Sequence, residues 1–237
     1  NSRKKTMDTI IQGIAEAFRL IVSCDTEIYE IVGLSLYVSL TSVIISAVLG
    51  IPFGMFLGSC RFYGKGVIVR IIYTFMSLPP VIAGLAVFLI LMRRGPLGSL
   101  QLNYTVPAMI IAQILLVTPI ITGLTYSIAR DKSSIVSSLG FTLGAGRIQR
   151  FMLLCSEMRT GIITAVISGF GRAISEVGAV MIVGGNIKGK TRVMTTYISE
   201  LKGMGNFSRA IAVGIILLVI SFIINAFLYH FQERQAR

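Results

Sequence analysis

Charged side chains are scarce in this sequence of 237 residues. They make up 14% of the chain, against roughly 25% in an ordinary soluble domain. Hydrophobic residues supply 54% of the chain, and the mean hydropathy is +0.81. Several uncharged runs exceed the roughly 20 residues that a helix needs to cross a bilayer. The shortage of charge therefore argues against a water-soluble fold and indicates a membrane protein with several spans.

Residues that hold metals, form disulfides or bind nucleotides are also rare. His230 is the only histidine, and the three cysteines, Cys24, Cys60 and Cys155, lie far apart without metal-ligand spacing. This argues against a zinc site, a Cys/His nucleophile pair and a disulfide framework. The Gly-x-x-x-x-Gly-Lys-Ser/Thr phosphate loop is missing as well. We therefore expect no enzyme activity, no metal and no cofactor in this chain.

The net charge of +12 raises the possibility of a nucleic-acid partner. The basic residues, however, sit in short clusters between apolar runs, such as Arg93-Arg94 and the stretch 188–192. No long basic stripe with interleaved aromatic residues is present, and such a stripe is typical of nucleic-acid binders. The sequence predicts a lipid bilayer as the surrounding partner and no nucleic acid.

Five segments are long and apolar enough to span a membrane. Because unsatisfied backbone groups are costly in lipid, and because the strict alternation of a barrel is absent, each is expected to be a helix. Pro79 and Pro80 predict a kink in the second segment. The predicted fold class is an all-α integral membrane protein, one transmembrane domain over residues 1–237, with spans at about 31–58, 71–92, 104–129, 160–183 and 210–229.

Residues 7–24 form a different kind of predicted helix. Ile10, Ile14 and Ile21 fall on one face, whereas charged Glu16 and Arg19 fall on the other, with a period near 3.6 residues. Such a segment is typical of a helix that lies in the membrane interface. A short sixth span is the alternative.

The segment 130–159 is the longest hydrophilic connection. Ser133 is suited to cap a helix whose apolar stripe stops at Gly144, and a second amphipathic stretch follows from Arg147 to Leu154. We expect a short helix, a glycine turn and another short helix, a shape suited to docking a partner. The excess of basic residues on this side of the predicted spans favours a cytoplasmic location.

Arg172 and Glu176 are the two charges inside the fourth predicted span. Four residues apart on a continuous helix, they would share a face and pair. Ionisable residues within a membrane usually mark a transport pathway, and we include Ser175 in this candidate site. A buried pair that only fixes helix packing is the alternative.

Lys188, Lys190 and Arg192 form a cationic loop after this span, near three glycines. A flexible cationic loop is suited to receive an anion or an acidic partner surface, although an ordinary solvated loop also explains it. Asn186 favours a turn and is expected to orient the loop through backbone hydrogen bonds.

At these positions the sequence resembles the permease subunits of ABC importers. The family's cytoplasmic loop carries a Glu-Ala-Ala triplet followed by a glycine, which corresponds to Gly144. Here the triplet positions read Ser138-Leu139-Gly140, and the run Gly144-Ala145-Gly146-Arg147 resembles the variant of molybdate-type permeases. The block from Gly169 to Gly185 is similar to oxyanion importers, closest to the tungstate permeases of the molybdate/sulfate family, as are Ser77-Leu78-Pro79-Pro80 and the N-terminal helix.

This resemblance implies a type I ABC importer permease that moves tungstate across the cytoplasmic membrane by alternating access. The implied partners are a second copy of the chain, two ATP-binding cassette subunits that hold ATP and Mg, and an extracytoplasmic oxyanion-binding protein. The implied site residues are, for coupling to the ATPase, Ser137, Ser138, Leu139, Gly140, Gly144, Ala145, Gly146 and Arg147; for the pathway or gate, Arg172, Ser175 and Glu176; and for the outer loop, Asn186, Lys188, Lys190 and Arg192.

Other functions remain open at this point. A molybdate or sulfate-type oxyanion is the alternative cargo within the same family. An ion-coupled secondary transporter would need inverted repeats and more carboxylates near the midplane, where Glu176 stands alone. A membrane-embedded enzyme would need a convergent set of catalytic residues, which the single histidine argues against.

Overall fold

The computed structural model describes residues 11–17, 19–20 and 26–236, without the side chains of Arg147, Phe231 and 233–236. The regular secondary structure within these residues is entirely helical, with no strand, which confirms the all-α prediction. Residues 11–17 and 19–20 are helical, and the remainder of the predicted helix 7–24 lies outside the described residues. The helices that follow are α1 (Thr26–Ser59), α2 (Lys65–Met76), α3 (Pro80–Leu91), α4 (Val106–Thr142), α5 (Arg147–Ile174), α6 (Gly178–Gly184), α7 (Met194–Gly203) and α8 (Phe207–Ala236).

Four of these helices, α1, α4, α5 and α8, are long and apolar enough to cross a membrane. The predicted second span, 71–92, is not one straight helix. Helix α2 ends at Met76, α3 begins at Pro80, and the chain bends by 102° at this break. Pro79 and Pro80 cannot donate backbone hydrogen bonds and push the residues before them out of the helical conformation. Counted as one bent segment, α2 and α3 make a fifth candidate span.

The predicted loop 130–159 is not a separate pair of short helices. Helix α4 continues unbroken to Thr142 and α5 begins at Arg147, so only residues 143–146 connect the two. Ser133 does not begin a new helix, because its hydroxyl lies 3.4 Å from the Arg130 carbonyl oxygen, one turn back within α4. No proline interrupts the segment 130–142, so the hydrogen bonds of the long helix continue.

The predicted fourth span, 160–183, is also interrupted. Helix α5 ends at Ile174, residues 175–177 are non-helical, and α6 begins at Gly178. Arg172 and Glu176 are therefore not one turn apart on a continuous helix, and the expected helical spacing between them is wrong.

The chain divides into two compact units. The first contains the described residues up to Leu40, together with Pro80–Gln113 and Ile174–Ile224. Its core is formed by the N-terminal helix, the start of α1, α7 and α8, and includes Ala17, Leu20, Ile28, Ile31, Met194, Tyr197, Leu201, Val213 and Ile216. Gly13 lies against Ile211, where a Cβ atom would approach the Ile211 Cγ2 to 2.6 Å. The described part of the predicted interfacial helix thus packs on this unit through one face.

Helices α3 and α6 also pack together within the first unit. Gly84 of α3 lies against Ala179 of α6, and a Cβ atom on Gly84 would stand 2.6 Å from the Ala179 Cα. Small residues allow two helix backbones to approach this closely in a membrane protein.

The second unit contains Thr41–Pro79, Ile114–Ala173 and the described residues from Asn225 onward. Parts of α1, α4 and α5 form its core around Met55, Ala129 and Met158. Polar contacts accompany this packing, since the Thr118 hydroxyl donates to the Ser46 hydroxyl at 3.1 Å. This unit carries the turn that connects α4 to α5.

Candidate functional site

The turn between α4 and α5 is built around Gly144. Its φ is +71°, a conformation that glycine adopts without steric cost. The Gly144 N–H donates to the Phe141 carbonyl at 3.0 Å, and the Ala145 N–H donates to the Gly140 carbonyl at 2.8 Å. This pair of hydrogen bonds is the Schellman motif, which satisfies the last carbonyls of a helix.

The N-terminus of α5, on the other side of the turn, is capped by a side chain. The Gly146 N–H donates to the Gln149 side-chain oxygen at 2.8 Å, as in half of a capping box. Gly140 is buried, and a Cβ atom there would come within 2.6 Å of the Arg150 Cγ. The missing side chain therefore lets the two helix ends approach, and the turn is a well-defined structure.

Large apolar side chains project from this turn into the surroundings. Six of them are more than half exposed, and we call them the apolar tip: Leu139, Phe141, Leu143, Ile148, Phe151 and Met152. Leu143 reaches 82% exposure, whereas Val136, earlier on α4, is buried. Contiguous exposed apolar residues mark an interaction surface.

The predicted coupling residues all lie at this turn. Ser137, Ser138, Leu139 and Gly140 occupy the last turns of α4, Gly144 to Gly146 form the connection, and Arg147 begins α5. The Arg147 side chain lies outside the described residues. The structure thus brings the predicted coupling segment to one point, but as the tip of two long helices.

The break at residues 175–177 holds a buried carboxylate. Glu176 is 5% exposed, and its Oε1 accepts the Ala179 N–H at 3.1 Å. Its backbone carbonyl accepts a hydrogen bond of 2.8 Å from the Thr195 hydroxyl. These contacts supply partners to backbone groups that the helix interruption leaves without intrahelical bonds. Thr195 was missed by sequence reasoning, because no local pattern connects it to Glu176.

Arg172 and Ser175 precede this carboxylate along the chain. Arg172 is half-buried and occupies the last turn of α5, where a cation interacts favourably with the helix dipole. Ser175 is exposed. Arg172 belongs to the second unit and Glu176 to the first.

The cationic loop after α6 is largely neutralised by carboxylates. The Arg192 guanidinium lies 2.9 Å from Glu200 and 3.4 Å from Glu27. Lys188 lies 3.1 Å from the same Glu27 oxygen, and the Asn186 side chain donates to Glu200 at 2.8 Å. The side-chain partner of Asn186 is thus a carboxylate. Its backbone φ of +50° is left-handed and fits the predicted turn.

Two residues that the sequence did not indicate support this loop. The Thr191 hydroxyl donates to the Gly184 carbonyl at 2.5 Å and accepts the Ile187 N–H at 3.0 Å. The Tyr197 ring lies 5.0 Å from the Arg192 guanidinium and 5.9 Å from that of Arg209. Burial raises the pKa of the Tyr197 phenol above its ordinary value.

A pocket of about 530 Å³ lies between this loop and the start of α1. Its lining includes Glu27, Glu30, Tyr37, Lys188 and Lys190. Lys190 is exposed, and among the described residues no carboxylate pairs with it. The pocket therefore presents charges of both signs, which suits a charged partner surface better than a small anion held by several cations.

No metal centre accompanies these sites within the described ranges, where no three His, Cys, Asp or Glu side chains converge. What the geometry offers is an apolar tip, a helix break with a buried carboxylate, and a mixed-charge pocket. These features suit binding and movement, and a nucleophile with a neighbouring base is not among them.

The known proteins that this chain resembles are membrane components of transport systems. The model of the family described as binding-protein-dependent transport system inner membrane component matches residues 50–237. The chain is 50% identical over 227 residues to the tungstate uptake system permease protein TupB of Peptoclostridium acidaminophilum, covering 96% of this chain and 100% of that protein. It is 32% identical to the protein of the same name from Campylobacter jejuni, covering 96% and 95%. The molybdenum transport system permease protein ModB of Escherichia coli K12 is 27% identical, covering 88% and 96%.

Proposed function

Because the chain belongs to the binding-protein-dependent transport system inner membrane component family, we propose that it is the tungstate permease subunit of an ATP-driven importer. It is a multi-pass membrane protein, with four or five apolar helices able to span the bilayer. The observation that carries the choice of cargo is the 50% identity to a tungstate uptake permease over that protein's whole length. The 27% identity to a molybdenum permease makes molybdate the second candidate.

In this proposal the apolar tip docks on a separate ATP-binding cassette subunit, which holds ATP and Mg. Support comes from the exposure of Phe141, Leu143 and Ile148, since large apolar side chains gain most when a partner removes them from water. The Schellman turn at Gly144 holds α4 and α5 together behind this surface. Movement of the docked subunit would then be transmitted along two long helices as a rigid-body shift.

The break at residues 175–177 is proposed as part of the pathway or gate. A non-helical segment at membrane depth is tolerated where it is buried in protein or lines a wet cavity. Arg172 would offer positive potential to a passing dianion, and Glu176, Ser175 and α6 would set the position of the segment. The pathway would run through a dimer of two copies of this chain.

The mixed-charge pocket is proposed to meet the extracytoplasmic binding protein that delivers the oxyanion. Lys188 and Arg192 are engaged by Glu27, so the loop is poorly suited to hold a free oxyanion. Lys190 and Glu30 remain at the pocket wall for complementary charges of a partner, which favour correct orientation on encounter.

The cargo is tested by reconstituting the permease with its ATPase subunit and binding protein in lipid vesicles. We expect tungstate-loaded binding protein to stimulate ATP hydrolysis at lower oxyanion concentration than molybdate, and sulfate to be ineffective. Stimulation by sulfate alone would overturn the tungstate assignment. Failure of any ATPase subunit to co-purify, with uptake driven by an ion gradient instead, would overturn the importer assignment.

Replacement of Arg172 by methionine is expected to lower tungstate uptake by about tenfold, equivalent to about 1.4 kcal/mol. Methionine keeps most of the unbranched apolar stem of arginine but lacks the charge that a dianion would meet in the pathway. Uptake of tungsten by cells, corrected for the amount of permease in the membrane, is the measurement.

The matched control is Arg159→Met, which removes an exposed charge from the same helix and is expected to leave uptake unchanged. Undiminished uptake by a well-expressed R172M protein would show that Arg172 has no part in the pathway.

A further inference from the structure

Two cations from different helices meet at one buried tyrosine in the second unit. The Lys65 Nζ, at the start of α2, lies 5.4 Å from the centroid of the Tyr126 ring. The Arg130 guanidinium, on α4, lies 5.9 Å from the same centroid. Tyr126 is 7% exposed, and Tyr73 packs against it edge-on at 6.4 Å. Because the ring is held from several sides, the two cations have a defined location.

These two cations have little negative charge around them. Lys65 donates a hydrogen bond of 3.0 Å to the Cys60 carbonyl oxygen, and no carboxylate pairs with it among the residues that the structure describes. Arg130 pairs with its neighbour Asp131 at 3.4 Å, with both side chains more than half exposed, and pairs of this kind are weak. The positive charge at Tyr126 is thus only partly compensated.

Two more arginines add to the local charge. Arg61 lies in the turn between α1 and α2, and Arg70 lies on α2; both are exposed. Each has no carboxylate partner within the described part of the chain. Together with Lys65 and Arg130, these cations form what we call the basic collar.

The basic collar lies where a membrane-crossing helix ends. Helix α1 ends at Ser59, and the following turn carries Tyr63, fully exposed at 105%, and Phe62, which stacks on Phe56 at 5.8 Å. Aromatic side chains at the ends of spanning helices are typical of the headgroup level of a bilayer. The collar is therefore placed at the depth of lipid phosphates.

Apolar side chains continue from the collar along α2. Val67, Ile71 and Phe75 are 58%, 51% and 39% exposed, and their spacing of four residues puts them on one helix face. Arg70 follows Val67 by three residues and lies at the edge of this face, whereas Lys65 reaches from the start of α2 toward Tyr126. A phospholipid offers acyl chains to the apolar face and a phosphate to the cations at this end of the helix. A free phosphate or an acidic protein surface would match only the cations.

We propose that the basic collar is a binding site for the headgroup of an anionic phospholipid. The Lys65 ammonium and the Arg130 guanidinium donate hydrogen bonds to the phosphate, and Tyr126 holds both in place. Anionic lipids are favoured over zwitterionic lipids, because cations near the membrane surface attract net negative headgroups. This inference stands apart from the cargo and from the ATPase partner.

Native mass spectrometry of the purified full-length permease complex tests the site, after exchange into micelles that contain phosphatidylglycerol or phosphatidylcholine. The wild-type complex is expected to retain phosphatidylglycerol in preference to phosphatidylcholine. The double variant K65Q/R130Q is expected to retain at least about fivefold less phosphatidylglycerol than the wild type, which corresponds to a loss of about 1 kcal/mol of binding free energy. The matched control R93Q/R94Q removes two exposed cations from the first unit and is expected to leave retention unchanged.

Equal retention by K65Q/R130Q and wild type would overturn the proposal. Full displacement of phosphatidylglycerol from the wild-type complex by millimolar inorganic phosphate would also overturn it, because the site would then bind phosphate and not lipid. A K65Q/R130Q complex that keeps its lipid but loses its ATPase subunit would overturn it as well, because the cations would then serve protein docking. The charge-preserving variant K65R/R130K guards against a folding defect. It is expected to retain phosphatidylglycerol, and loss of lipid from this folded variant would likewise count against the site.

Discussion

Replacing Gly144 by valine is expected to lower tungstate uptake by about tenfold or more, because the turn of the apolar tip cannot form without strain. A non-glycine residue in the left-handed region costs about 1 to 3 kcal/mol, and β-branched residues are the least tolerated there. The φ of Gly144 is +71°, and nothing lies within 4 Å of the position that a Cβ atom would take. The effect would therefore come from backbone conformation and not from a clash.

This strain would weaken the docking of the ATPase subunit on the apolar tip. If the altered turn relaxes by shifting the tip, an energy of about 1 to 3 kcal/mol corresponds to roughly 5- to 150-fold weaker docking. Asparagine adopts the left-handed conformation more readily than other non-glycine residues. The order of uptake is thus expected to be wild type, then Gly144→Asn, then Gly144→Val.

The control for Gly144 is Gly205, in the turn between α7 and α8. Its φ is +75°, and it too has open space at the Cβ position, so Gly205→Val imposes similar strain at a turn without the apolar tip. Uptake of tungsten and recovery of the ATPase subunit in the purified complex are the two measurements. Wild-type values for Gly144→Val, or an equal loss in Gly205→Val, would refute the role of the turn in coupling.

Replacing Gly84 by valine is expected to lower the thermal stability of the protein markedly, because it disrupts the packing of α3 against α6 in the first unit. The new Cβ atom would stand 2.6 Å from the Ala179 Cα and 3.0 Å from the Ala179 carbonyl oxygen. These are backbone atoms, so rotation of a side chain cannot relieve the contact. Overpacking of a close contact typically costs about 1 to 3 kcal/mol, occasionally more, and here the two helices must separate.

Monodisperse protein recovered from detergent and its thermal unfolding temperature are the measurements for Gly84→Val. The matched variant is Gly214→Val, on α8 of the same unit, where a new Cβ atom would have nothing within 4 Å. Both substitutions place valine in an apolar helix, so the intrinsic cost of valine is shared. Unfolding temperatures that fall equally in the two variants would show that the contact of Gly84 with Ala179 is unimportant.

The loop after α6 shows why charge in a sequence is a poor guide to free charge in a fold. Lys188 and Arg192 form a cationic loop when only neighbours along the chain are considered. Glu27 lies 165 positions from Arg192 in the chain, yet its carboxylate is within 3.4 Å of the guanidinium. The same limit applies to Thr195, whose hydroxyl supports the Glu176 carbonyl. Local periodicity contains no information about such partners.

Local sequence patterns are an equally poor guide to where helices continue and where they break. Residues 130–142 read as a separate short helix, but the backbone hydrogen bonds of α4 continue through them, since a capping serine and an apolar stripe do not require a helix to begin. Conversely, the apolar segment 160–183 read as one span, but the chain breaks at residues 175–177. The Glu176 carboxylate and the Thr195 hydroxyl supply hydrogen bonds that stabilise this break in the interior.

The sequence by itself determined the class of the molecule. Low charge and long apolar runs required membrane-crossing helices, because only a helix or a closed barrel satisfies its backbone groups in lipid. The motifs near Gly144 and from Gly169 to Gly185 led to the permease family. The tertiary structure alone decided which helices continue, which break, and which charges are neutralised. These outcomes depend on contacts between residues far apart in the chain, whose energies no local pattern records.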